Sequence, residues 1–102
     1  MSIVMNGNLN GSNAVDKKER IENRLENHKS RTDCDHEARV CGVALLWSEV
    51  MGFDAIMKKL RSELHSIFVR DFFDITPYAM EEAKAITEVM SILVSEGVDP
   101  VN

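Results

Sequence analysis

The sequence predicts an all-α fold: a small helical bundle of three firm helices and one soft N-terminal helix, with dimerisation as one way to complete it. Apolar residues recur with helical spacing in three segments after residue 34. The longest apolar run, Val40 to Trp47, has the length of a buried strand, but its helical phase continues to Met51. With 102 residues, the chain has room for one domain.

The N-terminal segment contains few apolar residues. Residues 1–13 hold four asparagines and two glycines, so we expect a disordered tail there, followed by a single helical domain over residues 14–99. Residues 15–29 have helical character with a narrow apolar stripe that includes Ile21 and Leu25. A helix this polar is marginal unless it lies on a surface. Two alternatives stay open: light packing on the chain's own core, or an arm that becomes ordered on a partner.

The second predicted helix covers residues 35–51 and is apolar around most of its circumference. One face carries apolar residues at the spacing of helical turns, namely Val40, Val43, Ala44, Trp47, Val50 and Met51. The other sides carry three more apolar residues, Cys41, Leu45 and Leu46. Gly52 interrupts the phase, because the same face would next present polar residues, and therefore predicts a turn.

The third helix is predicted over residues 54–71 and the fourth over residues 77–96. The third has a clean apolar stripe, formed by Ile56, Leu60, Leu64, Ile67 and Phe68. Pro77 forces Thr76 out of helical geometry, so we expect Thr76 to cap the fourth helix. Gly97 is expected to end that helix in the left-handed conformation.

Both cysteines and two of the three histidines fall within fourteen residues, and they form one candidate metal site. Its ligands would be His28, Cys34, His36 and Cys41. Zinc needs four ligands at about 2.0–2.3 Å, whereas cysteines seven residues apart on one helix are separated by roughly 10 Å. A helix capped by Thr32 or Asp33 therefore excludes the site within one chain, and a cap at Asp35 leaves it open. Because the spacing lacks a C-x2-C knuckle, we interpret the stretch as a helix entrance and expect no metal and no other cofactor.

Neither catalytic nor nucleic-acid-binding patterns stand out. The chain has no glycine-rich phosphate loop, no H-E-x-x-H and no G-x-S-x-G, so we expect no enzymatic activity. The formal net charge of −5 makes nucleic acid an unlikely main partner. The alternative function is a dimeric DNA-binding transcriptional regulator that uses the helix after Gly52, as in a helix-turn-helix. Against it, Lys58 falls where that motif buries an apolar residue.

The apolar surface exceeds what a three-helix monomer needs. The residues expected at an interface are Val43, Leu46, Trp47, Val50, Phe53, Phe72 and Phe73. A homodimer is the simplest way to bury them, and the alternative is cover from the N-terminal helix and the loops. We therefore expect a small protein-interaction module that acts as a regulator, inhibitor or adaptor of a protein partner. Accessory proteins of mobile genetic elements are of this size.

The sequence also predicts where the protein works. No segment has the roughly 18 apolar residues needed to span a bilayer. The N-terminus lacks the basic region and the long apolar run of a secretory signal. Two cysteines in such a chain fit a reducing compartment. We therefore expect a cytoplasmic protein that does not contact membranes.

Overall fold

A computed structural model describes residues 8–70 and 75–99, with side chains from Lys17 onward, and confirms the all-α fold. The four helices are α1 (Asn8–Arg31), α2 (Asp35–Trp47), α3 (Phe53–Arg70) and α4 (Pro77–Ser95). No strand occurs in these two ranges. Within them, no helix is both long enough and apolar enough to cross a membrane.

The soft N-terminal helix is part of the bundle. α1 packs on α2, α2 packs on α4, and α3 packs mainly on α4. Ile21 and Leu25 of α1 are completely buried in the common core. Of the two alternatives for this helix, the structure shows packing on the chain's own core. The apolar stripe of α1 is narrow, but α2 is apolar around most of its circumference, so α1 can pack against one of its sides.

Helix α1 also begins earlier than expected. It starts at Asn8 instead of residue 15, so residues 8–13, expected in the tail, belong to a helix, and residues 1–7 lie outside the described part. Extending an existing helix orders one residue for each hydrogen bond gained, whereas starting a helix orders several. The packed segment around Ile21 therefore supports turns that their own composition does not favour.

Helix α2 ends at Trp47, four residues before the predicted end. The Ser48 hydroxyl donates to the Leu45 carbonyl at 2.6 Å, and the Glu49 amide bonds to the Leu46 carbonyl at 3.2 Å instead. A serine that bonds to the backbone in this way competes with the regular helical pattern. The chain then turns before α3, as the position of Gly52 predicts.

The ends of α4 agree with the sequence. Thr76 is its N-cap, and the Thr76 hydroxyl accepts a hydrogen bond from the Ala79 amide at 3.1 Å. Gly97 has a φ of 94°, and the Val98 amide bonds back to the Leu93 carbonyl at 3.0 Å. This is the left-handed helix ending that only glycine adopts without strain. Both predicted boundaries of α4 are therefore explained by local chemistry.

Candidate functional site

The turn between α1 and α2 decides which candidate metal ligands can meet. Cys34 is the N-cap of α2 and makes no side-chain capping bond. The Thr32 hydroxyl accepts a hydrogen bond from the Cys34 amide at 3.1 Å and donates to a Glu37 carboxylate oxygen at 3.0 Å. The prediction of a cap at Thr32, Asp33 or Asp35 is therefore wrong, because Thr32 closes the turn before the helix begins.

The four candidate ligands named from the sequence do not come together. His28 Nε2 lies 2.7 Å from Glu37 Oε1, so its ring is engaged by that carboxylate. Cys41 is completely buried, and its burial, with a smaller contribution from the Glu37 charge, raises the pKa of its thiol to about 11. A thiol kept in its neutral form is a poor metal ligand. His28 therefore pairs with Glu37, and Cys41 is a buried core residue, so neither joins a metal site.

Cys34 and His36 instead meet a carboxylate from α4. One possible ligand atom from each of Cys34, His36 and Glu81 lies within 4.8 Å of the other two, and we call these three residues the Cys34 cluster. The Cys34 Sγ is 3.9 Å from Glu81 Oε1. The His36 ring packs edge-on against Tyr78, with 4.7 Å between ring centroids. Its Nε2 is buried and has no hydrogen-bond partner among the described residues.

Glu81 was not among the predicted candidates. From the sequence it is an early residue of α4, where a carboxylate complements the helix dipole. It lies 47 residues from Cys34, and only the packing of α4 on α2 places the two side chains together. No spacing in the sequence indicates this contact, because ligand spacing is informative only within a turn or a knuckle.

Arg39 is a cationic neighbour of the acids beside the Cys34 cluster. A hydrogen bond with Tyr78 raises the pKa of the Arg39 guanidinium, and the nearby carboxylates of Glu82 and Asp35 act in the same direction. These two acids therefore have a cationic neighbour. Glu81 is the acid of this region that faces the thiol of Cys34.

The second feature is an apolar stripe at the other end of α2. It consists of Val43, Leu46, Trp47 and Val50, and we call it the α2 stripe. Leu46 exposes 64% of its surface and Val50 exposes 80%, whereas Val43 and Trp47 are half-buried. The Lys59 ammonium lies 5.2 Å from the centre of the Trp47 ring. Four of the seven predicted interface residues therefore share one face.

The remaining predicted interface residues do not extend this face. Phe53 is buried in the core and exposes only 8% of its surface, so it offers nothing to a partner. Phe72 and Phe73 lie outside the described residues. Phe68 and Val69, near the end of α3, are exposed apolar residues that the prediction did not include. Phe68 belongs to the stripe expected in the core, and the structure leaves 43% of its surface exposed.

Two open grooves run beside α1. The first is lined by Arg24, Asn27, His28, Arg31, Glu88 and Ile92. The second is lined by Lys17, Lys18, Ile21, Gly52, Phe53, Asp54 and Val98. Neither groove includes a residue of the Cys34 cluster or of the α2 stripe, so these two features lie outside the grooves.

Comparisons with known proteins give no significant match: no protein-family model, no curated protein and no solved structure resembles this chain. Among the described residues, the Cys34 cluster has donors suited to a metal ion, and the α2 stripe has exposed apolar side chains suited to a partner.

Proposed function

We propose that the chain is a small, non-enzymatic protein-interaction module, a regulator, inhibitor or adaptor that binds a protein partner through the α2 stripe. The observation that carries the proposal is the exposure of Leu46 and Val50, at 64% and 80%, on one face of one helix end. Moving a side chain of this kind from water into an apolar contact is worth about 1.5–3 kcal/mol. Two such neighbouring side chains favour a partner surface that covers them.

The geometry of the α2 stripe suits a helix docked into a groove. Val43, Leu46 and Trp47 lie on the last two turns of α2, and Val50 lies in the turn that follows it. Ser48 lies on the inner side, where its one hydroxyl proton is shared between the Leu45 carbonyl at 2.6 Å and a Glu22 carboxylate oxygen of α1 at 2.8 Å. The contact with Glu22 ties the end of α2 to α1. A surface that is already held in its binding conformation loses less entropy when a partner binds.

The partner that this surface fits best is a protein of different sequence with an apolar groove. Obligate dimers bury about 2,000 Å² or more, and four side chains along one short stripe supply only a small part of that area. Ile21 and Leu25 already cover another side of α2, so much of the apolar excess that predicted a homodimer is buried within one chain. The homodimer stays a prediction, and native mass spectrometry of the purified chain tests it.

The DNA-binding regulator has no specific observation in its favour. In a helix-turn-helix the two helices pack together, whereas α3 packs mainly on α4. The exposed basic residues Lys58 and Lys59 share α3 with the exposed acids Asp54 and Glu63. A gel-shift titration tests the hypothesis, because phosphate-mediated binding weakens steeply as salt rises.

Two further parts of the proposal concern chemistry and location. The non-enzymatic role rests on the sequence, which contains none of the catalytic motifs considered above. Both cysteines carry free thiols, which suits the reducing environment of the cytoplasm.

The experiment compares the same substitution on two exposed valines. Val50→Asp places a carboxylate in the α2 stripe, and Val69→Asp places one on α3, where Val69 exposes 61% of its surface. The wild type and both variants are used to capture proteins from an extract of the native source, and bound proteins are quantified by mass spectrometry. Burying an unpaired carboxylate is costly, so we expect the partner to bind Val50→Asp roughly tenfold more weakly or worse.

The control variant decides the outcome. A partner that binds the wild type and Val69→Asp but is lost with Val50→Asp supports the proposal, and its affinity for the three purified chains is then measured by titration. Capture of the same proteins in the same amounts by all three chains contradicts it. Circular dichroism and thermal melting establish that both variants are folded.

A further inference from the structure

We propose that Cys34, His36 and Glu81 bind one transition-metal ion, with Zn²⁺ as the preferred ion, where the first turn of α2 meets the beginning of α4. A thiolate sulfur, an imidazole nitrogen and a carboxylate oxygen are the three kinds of side-chain donor that zinc uses in proteins. The site is separate from the α2 stripe, and the proposal does not depend on the interaction function.

The distances within the Cys34 cluster are close to those of a zinc site. Tetrahedral coordination at 2.0–2.3 Å places neighbouring ligand atoms about 3.3–3.8 Å apart. The three possible ligand atoms lie within 4.8 Å of one another, and Cys34 Sγ is already 3.9 Å from Glu81 Oε1. The ligand atoms would have to approach one another by about 1 Å to reach this separation.

The unpaired nitrogen of His36 is an independent observation that points to a ligand. Buried polar atoms in native proteins nearly always have a partner, and an exception commonly marks the place of an ion or a water. Nε2 of His36 is buried without one in the described part of the chain. Tyr78 packs edge-on against the ring with an interplanar angle of 71°. Coordination of a metal by this ring would fix its tautomer and its orientation.

The charges and the softness of the donors select the class of metal. One thiolate and one carboxylate carry two negative charges, which neutralise a divalent cation. Arg39 lies near the acids Asp35 and Glu82, and its one positive charge offsets part of their two negative charges. A sulfur and a nitrogen ligand favour Zn²⁺ and related transition metals over Mg²⁺ and Ca²⁺, which prefer oxygen.

The position of the cluster would let the metal link two helices. Cys34 ends the turn after α1, and Glu81 lies 47 residues further along the chain, so an ion shared by the two would link α2 to α4. Cys34 is half-buried and Glu81 is exposed, so solvent reaches the site and a water can supply the fourth ligand. Metal binding to the folded chain alone would raise its stability by mass action.

The experiment is a titration with Co²⁺, which takes the place of Zn²⁺ and reports sulfur ligation by a thiolate-to-cobalt charge-transfer absorption. We expect the wild type to develop this absorption and to saturate at one ion per chain. Cys34→Ser is expected to abolish it, and Glu81→Gln and His36→Asn to weaken binding roughly tenfold or more. Excess Zn²⁺ is expected to displace the cobalt.

Matched control variants make the test specific. Cys41→Ala removes the other thiol, and Glu88→Gln removes an exposed carboxylate two turns further along α4, so both are expected to bind Co²⁺ like the wild type. The proposal is overturned if no absorption appears at millimolar Co²⁺, or if it persists in Cys34→Ser. It is also overturned if Glu81→Gln binds as well as Glu88→Gln, or if one ion is bound per two chains.

A second measurement covers variants that fold poorly. The melting temperature of the wild type is compared in Zn²⁺ and in a chelator, and the metal is expected to raise it. The same comparison on Glu81→Gln, at the exposed member of the cluster, is expected to show a smaller shift. Identical melting of the wild type with and without metal would overturn the proposal without any variant.

Discussion

The two ends of α2 have opposite chemical character. At its beginning, the partly buried side chains of Cys34 and His36 meet Glu81 from α4. At its end, Leu46 and Val50 are mostly exposed to water. The sequence suggests the opposite burial. The beginning of α2 resembles a solvated helix start, and its end resembles the middle of a buried helix. The difference shows that the neighbours of a helix decide which of its residues are buried.

The cause of this difference is the placement of α1 and α4. α1 buries Ile21 and Leu25 against the core that includes Cys41 and Ala44 of α2. α4 also packs on α2 and brings Glu81 to its first turn. The stripe from Val43 to Val50 lies on the side that these contacts leave exposed. One helix therefore carries a candidate metal site at one end and a candidate docking surface at the other.

The largest expected effect comes from Leu25→Ala, which removes a completely buried side chain of α1. Truncating a buried leucine typically costs about 2–5 kcal/mol, because the contact is lost and a cavity remains. The matched variant Leu46→Ala truncates the same side chain where it is 64% exposed, and we expect a change within about 0.5 kcal/mol. Urea denaturation followed by the fluorescence of Trp47 measures both. Equal losses of stability in the two variants would mean that α1 does not bury the side of α2 on which it packs.

A smaller but clear difference is expected between the two thiols. The buried Cys41 has a pKa of about 11, so at pH 8 only about one molecule in a thousand carries the reactive thiolate. Cys34 is half-buried at the helix start. We expect a disulfide reagent to label Cys34 at least about a hundredfold faster than Cys41, which becomes accessible when the chain opens.

The labelling experiment also sharpens the comparison of the two ends of α2. Cys41→Ala is expected to keep the fast phase, and Cys34→Ser is expected to lose it. Zn²⁺ is expected to slow the fast phase only if the Cys34 cluster binds it. Two thiols of equal reactivity in the folded chain would show that the core around Cys41 is open.

The smallest expected effect concerns the contact between α1 and the end of α4. Arg20 and Arg24 hydrogen-bond the Glu96 carboxylate at 2.7 and 2.9 Å and lower its pKa from the ordinary value of 4.5. A lowered pKa in the folded state stabilises the fold above the ordinary value, and this stabilisation is lost as the pH falls through the lowered value. Glu96→Gln is therefore expected to be mildly destabilising at pH 7 and to lose this effect as the pH falls through the lowered pKa.

Thermal melting between pH 3 and pH 7 checks this expectation. Glu63→Gln, which changes an exposed glutamate of α3, is the matched control and is expected to leave the melting curve at pH 7 nearly unchanged. High salt is expected to reduce the effect of Glu96→Gln, because the arginines are exposed. A loss of stability that is the same at pH 3 and pH 7 would mean that the charge of Glu96 has no part in it.

Local features of the fold could be read from single residues. Thr76 and Pro77 start α4, and Gly97 ends it, because capping and a positive φ depend on residue type alone. The early end of α2 was missed because Ser48 also suits a helix, and the choice depends on its bonds to Leu45 and Glu22. The cap of α2 was missed because three polar residues compete there with similar strength.

What the sequence determined by itself is the all-α class, the number of helices and the chemistry of α4's two ends, since these follow from periodicity and from local backbone preferences. Only the tertiary structure decided that α1 belongs to the core, that His28 and Cys41 are committed elsewhere, and that Glu81 joins Cys34 and His36. The same sequence pattern of apolar faces is compatible with several ways of packing the helices. Which side chains meet across 47 residues therefore depends on how the helices pack, and spacing along the chain carries no record of it.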